Sequence, residues 1–95
     1  MHIQEIIWKD MFVEKFARKH GVQIDEVEEA LQTSPLIRRV RKGKCKGEDV
    51  YAAYAQIHNG RYIIVVFIKK VGNKILPISA RDMDHAERKY YERHG

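Results

Sequence analysis

A single cysteine, Cys45, stands in the whole 95-residue chain, so no internal disulfide can form and no cysteine-rich metal site is available. Long apolar runs are missing too. The longest, Tyr62 to Ile68, falls far short of the ~20 residues a membrane helix needs. The opening Met1-His2-Ile3-Gln4-Glu5 has neither the basic start nor the apolar stretch of a secretory signal. No internal repeat, low-complexity tract or linker divides the chain, and its length suits one domain. Glycine-rich phosphate loops, nucleophile elbows and paired-carboxylate patterns are absent. His2, His85 and His94 share no metal-ligand spacing. No metal or other cofactor is expected, and the chain reads as a cytoplasmic domain without a membrane partner.

What is present is a globular balance of 44% apolar and 33% charged residues, too apolar for a disordered chain. Eighteen Lys and Arg against thirteen Asp and Glu leave a net charge of +5, which favours a polyanionic partner.

The periodicity changes once along the chain. Ile3 to Trp8 is a strand candidate with imperfect alternation. Asp10 is placed to cap a helix running to about Lys19, with Phe12, Val13, Phe16 and Ala17 on one stripe, and Gly21 suits its left-handed close. Asp25 and Glu28 form a D-x-x-E capping pattern for a second helix, whose inward face is Val27, Ala30 and Leu31; Ser34-Pro35 stops it. Strands follow: Leu36 to Arg41, Tyr51 to Ile57, Tyr62 to Lys70 and Lys74 to Ala80, with Gly43 to Asp49 a polar connection. Asn59-Gly60 supplies a tight turn. The unbroken Ile63-to-Ile68 run predicts burial on both faces and a central strand. Pro77 predicts an edge or a bulge. Asp84 and Glu87 open a last helix through Tyr90 and Tyr91. The expected architecture is α+β: a strand, two helices, a four-stranded antiparallel meander and a C-terminal helix.

Six of the nine residues from Arg38 to Lys46 are basic: Arg38, Arg39, Arg41, Lys42, Lys44 and Lys46. Such a cluster is the footprint of phosphate contact, whether on nucleic acid or an acidic protein. It also suits a solvated edge strand, where Lys and Arg discourage aggregation. His20, between Lys19 and Gly21 at a helix end, either complements the helix dipole or transfers a proton. Arg81, where a strand feeds the last helix, either braces phosphate oxygens or pairs with Asp82, Asp84 or Glu87. Arg61 is otherwise an exposed charge at a strand start. Glu87 is more simply a cap than an acid, and Tyr90 and Tyr91 more simply packing than proton donors. A lone loop cysteine such as Cys45 is usually incidental.

Five segments follow in order: Phe16-Ala17-Arg18-Lys19-His20-Gly21-Val22; Glu28-Glu29-Ala30; Gly47-Glu48-Asp49-Val50-Tyr51; Gly60-Arg61-Tyr62-Ile63-Ile64-Val65-Val66-Phe67; and Ile78-Ser79-Ala80-Arg81-Asp82-Met83 with Glu87-Arg88-Lys89-Tyr90-Tyr91. Together they resemble the BrnT family, the toxin half of type II toxin–antitoxin pairs within the RelE-like ribonucleases. Members often carry an arginine where this chain has Val50, and a glycine at the place of Ala55.

The resemblance implies a RelE-like fold and a metal-independent endoribonuclease that cleaves mRNA and arrests translation and growth. It implies a BrnA-like antitoxin with a ribbon-helix-helix DNA-binding half, in a hetero-oligomer with the toxin, or a toxin homodimer. Carried over by position, His20 becomes the proton-transfer candidate and Arg61 and Arg81 the phosphate grips, with Lys19 in support. Glu48, Glu87 and Tyr91 would orient an arginine or share in proton transfer. The competing function is a non-catalytic basic module that binds an acidic protein or nucleic acid.

Overall fold

The computed structural model describes residues 3–41 and 48–95. Its order is β1 (Glu5–Ile6), α1 (Asp10–His20), α2 (Ile24–Gln32), β2 (Leu36–Arg41), β3 (Val50–Gln56), β4 (Tyr62–Lys70), β5 (Lys74–Asp82) and α3 (His85–His94). The strands form one sheet in the order β1-β5-β4-β3-β2. From β2 to β5 it is an antiparallel meander. β1 joins the far edge parallel to β5, pairing Glu5 with Lys74 and Ile6 with Ile75. The expected N-terminal strand thus shrinks to two residues of a mixed sheet. Its poor alternation offers no longer pairing face, and Ile3 and Trp8 pack on the core outside any ladder.

The apolar stripe of α1 packs on β5 and buries Phe16. Asp10 is the first helical residue rather than the cap; Lys9 stands at the cap without a side-chain bond, and the Asp10 carboxylate instead faces the positive end of the dipole. Gly21 closes the helix at φ 62°, as expected, and the amides of Gly21 and Val22 return to the carbonyls of Ala17 and Phe16. α2 begins at Ile24, ahead of the expected Asp25–Glu28 box. The capping carboxylate is Glu26, which accepts the Gln23 N–H at 3.0 Å.

Phe16, Val22, Val27, Ala30 and Leu31 from the helix pair meet Ala53, Ala55, Ile63, Val65, Phe67, Ile75 and Ala80 from one face of the sheet. β4 lies at the centre, with Ile63 and Val65 on that face and Ile64 buried on the other. In the β3–β4 turn only Gly60 takes a positive φ, 91°; Asn59 instead accepts the Arg61 N–H at 3.0 Å. The left-handed pair is in the next turn, at Gly72 and Asn73. β5 bulges beside Pro77: Phe67 pairs with Pro77 and Val66 with Ser79, so Ile78 has no opposite number.

α3 crosses the second face. Asp84 accepts the Glu87 N–H and Glu87 accepts the Asp84 N–H, the expected capping box. None of its residues is buried. Aromatic contacts hold it: Tyr90 lies 5.2 Å from Tyr54, and Tyr91 meets Tyr62 edge-on at 6.0 Å.

Candidate functional site

The second face of the sheet is only partly covered by α3, and cross-strand register determines what it presents. Leu36, Tyr54, Ile64 and Arg81 form one row, and Arg38, Ala52, Val66 and Ser79 the next. Directly opposite residues share a face, so small and branched side chains make a floor with Arg38 near one side and Arg81 near the other. Three strand spacings separate β2 from β5, about 14 Å. Between them lies a cleft of about 290 Å³ lined by Arg38, Arg39, Val40, Tyr54, Arg81 and Glu87 over the Ala52, Ile64 and Val66 floor.

Arg81 is held at one end. Its Nη1 and Nη2 donate to the Glu87 carboxylate at 2.6 and 2.7 Å, and Nη1 also donates to the Asp82 carbonyl at 3.2 Å. A guanidinium carries five N–H donors. Among the described residues, none accepts from Nε or from the outer Nη2–H, so one fork is fixed and a second is left for an anion. Hydrogen bonding from Arg81 holds the Glu87 carboxyl below the usual carboxylate range, while the same pair raises the arginine's own pKa. Glu87 is therefore both the cap and the arginine's partner.

Arg38 lies with its guanidinium carbon 5.0 Å from the Tyr90 ring centroid, a cation–π contact. Tyr90 in turn meets Tyr54, and His94 at 4.5 Å. Tyr54 carries no functional signal in the sequence, where Tyr90 reads only as packing. The alternation of Ala52 and Tyr54 on β3 was visible, but which face they join depends on register. Tyr91 belongs to the same cluster beneath α3. Arg41 is exposed at the end of β2; Lys42, Lys44, Lys46 and Cys45 lie outside the described residues.

The remaining candidates are elsewhere. Arg61 spends all five donors on structure: Nε and Nη2 on Asp82 at 2.5 and 3.3 Å, Nη1 on the Gly21 carbonyl and Glu26 at 2.9 and 3.1 Å, and Nη2 on the His20 carbonyl at 2.9 Å. It clamps the junction of α1 and α2 to the β4–β5 pair, more than an exposed strand-start charge. Lys19 and His20, both exposed, end α1 on the helix-pair side of the sheet, whereas Arg81 belongs to the other. Glu48 pairs with Lys70 at 3.6 Å, roughly 20 Å along β4 from the Ile64 that faces Arg81. Lys70 in turn lines a second cleft, of about 360 Å³, with Asp49, Tyr51, Lys69 and the turn at 71–73. His58, in the β3–β4 turn, gives its N–H to Glu29 at 2.6 Å and places Nδ1 2.8 Å from the same carboxylate. Among the described residues no group of three His, Cys, Asp or Glu side chains is placed to hold a metal, and no helix is long and apolar enough to cross a membrane.

Fold and groove together define a small α+β domain with an arginine-lined cleft on one face of its sheet. The family described as "Ribonuclease toxin, BrnT, of type II toxin-antitoxin system" matches residues 8–87, and the chain belongs to it. Among solved structures it is similar to the ribonuclease toxin BrnT of Brucella abortus, at 23% identity and a TM-score of 0.58, over 85% of this chain and 97% of that one. That likeness confirms the α+β toxin fold. No curated protein matches the chain.

Proposed function

We propose that this chain cleaves mRNA as a metal-independent endoribonuclease in the cytoplasm, and that a BrnA-like antitoxin neutralises it. The observation that carries this reading is the Arg81–Glu87 pair beside a basic cleft with one arginine fork to spare. In such a reaction the RNA 2′-hydroxyl attacks the adjacent phosphorus, the 5′-oxygen leaves, and a 2′,3′-cyclic phosphate forms. A base takes the hydroxyl proton, an acid protonates the departing 5′-oxygen, and cations stabilise the extra negative charge at the phosphate. Arg81 supplies the cation through its Nε–Nη2 fork. Glu87, kept ionised by Arg81, positions that arginine and is the proton acceptor nearest to it. Arg38 takes a flanking phosphate. Arg61 acts as a brace, and His20 and Glu48 stand outside the chemistry.

One observation favours the competing reading of a basic binding module: the residues lining the cleft include no histidine. Incubating the purified chain with a long mixed-sequence RNA in EDTA, beside Arg81→Ala and His20→Ala proteins, separates the two. The expected result is cleavage to cyclic-phosphate ends by the parent and by His20→Ala, and a loss of about 100-fold or more in a folded Arg81→Ala protein. Binding without cleavage by a folded parent, with or without ribosomes, would establish the module instead.

A further inference from the structure

β2 is the outermost strand at one end of the sheet. Its inner side is laddered to β3, and among the described residues no strand pairs with its outer side. The opposite edge, β1, is only two residues long and offers almost no ladder. β2 has six residues, of which Arg38, Arg39, Val40 and Arg41 are exposed, so an unfilled row of N–H and C=O groups runs beside a row of cations. Such an edge invites another strand unless side chains forbid it.

The arginines determine which strand is forbidden. Antiparallel pairing with a second copy of β2 would bring arginine to arginine, and like charges across a ladder are destabilising. An acidic strand reverses the sign. The bulge at Val40, where Arg39 pairs with Tyr51 but Arg41 with Val50, sets Arg38 and Arg41 on the groove face and leaves Arg39 on the other. A carboxylate on the groove face of an incoming strand therefore meets Arg38 or Arg41, while one on the other face meets Arg39, which already lies 3.8 Å from Asp49. Val40, 57% exposed, adds an apolar contact at the cleft rim. RNA could use the arginines but would leave the backbone row unfilled.

We propose that β2 is a docking edge, where an acidic, extended segment of a protein partner adds as a sixth strand along Leu36–Arg41. Taking that partner to be the antitoxin rests on the toxin reading above; the docking edge does not. The added strand lays carboxylates against Arg38 and Arg41, cations that otherwise face the groove.

The test is amide hydrogen exchange on the intact chain, with RNA cleavage measured separately. Three ten-residue probes suffice: alternating Glu and Val, the same peptide N-methylated at alternate amides, and alternating Lys and Val. At ten times its Kd the acidic peptide should slow exchange of the outward β2 amides about tenfold. The methylated and basic peptides should leave them unchanged. In a folded Arg39→Glu, Arg41→Glu protein the preference should invert toward the lysine peptide. Equal protection by the methylated peptide would reduce the effect to charge attraction and overturn the proposal. So would protection that grows with protein concentration alone, which would mean self-pairing, or no protection by any peptide. Because cleavage is not the readout, an inactive chain with a protected β2 would sink only the ribonuclease reading.

Discussion

Arg81 and Glu87 meet end-on, two hydrogen bonds joining one guanidinium to one carboxylate, while that same carboxylate also accepts the Asp84 N–H that opens α3. The position of the arginine and the position of the helix are thereby coupled through one side chain. α3 has no buried residue to anchor it independently.

Glu87→Gln should keep an acceptor for the Asp84 N–H while removing the charge facing Arg81. With Arg81 36% exposed, solvent screens the pair, and the expected destabilisation is about 1 kcal/mol. Glu87→Ala also breaks the capping box and should cost about 2 kcal/mol. Urea unfolding of both proteins checks the order.

Acid should loosen α3. The native carboxyl of Glu87 is depressed by Arg81, so its stabilising contribution is complete above the ordinary glutamate value, about 4.3. It is lost as pH falls through the lowered native value. A pH titration followed by tyrosine signals of Tyr90 and Tyr91 should show their environment change in that acid range, and Glu87→Gln should abolish that component.

Arg61→Ala should be among the most destabilising charge removals, because it orphans Glu26, Asp82 and two helix-end carbonyls. A loss of about 2 kcal/mol, or roughly 8–16 °C in Tm, is expected. Arg61→Lys should rescue little of it, since one ammonium cannot reach three elements at once. Thermal unfolding decides between a brace and a dispensable charge.

Arg38→Ala should weaken binding of single-stranded RNA similarly for all sequences and reduce the salt slope by about 0.7, the value for one phosphate contact. Lys19→Ala, on the other side of the sheet, should leave that slope unchanged. Binding isotherms at several salt concentrations measure both.

The strands were legible because branched and aromatic residues cluster in them: Leu36–Arg41 and Tyr62–Lys70 coincide with expectation, and the Pro77 bulge followed from the missing N–H. Helix starts were less legible where several acidic residues competed, as at Asp10 and Asp25. The Arg61 clamp was not legible at all. Its partners come from α1, the α1–α2 junction, α2 and β5, and only the folded chain brings them together. The Arg38–Tyr90 contact is hidden for the same reason. Arg81 and Glu87, six residues apart, were close enough in sequence for their pairing to be one of the alternatives.

The bulge beside Pro77 acts on parity. In a regular strand, alternation starting from Ile75 and Pro77 on the helix-pair side would send Ser79 and Arg81 there too. Inserting Ile78 without a partner resets the count, so that Ala80, opposite Val65, turns inward and Arg81, opposite Ile64, emerges on the groove side. Whether Ile78 bulges or pairs thus decides whether the guanidinium faces an aliphatic core or the open cleft. Were Ile78 to pair regularly instead, the arginine would point at Phe16 and its neighbours, whereas deleting Ile78 would leave Arg81 opposite Ile64 on the groove side.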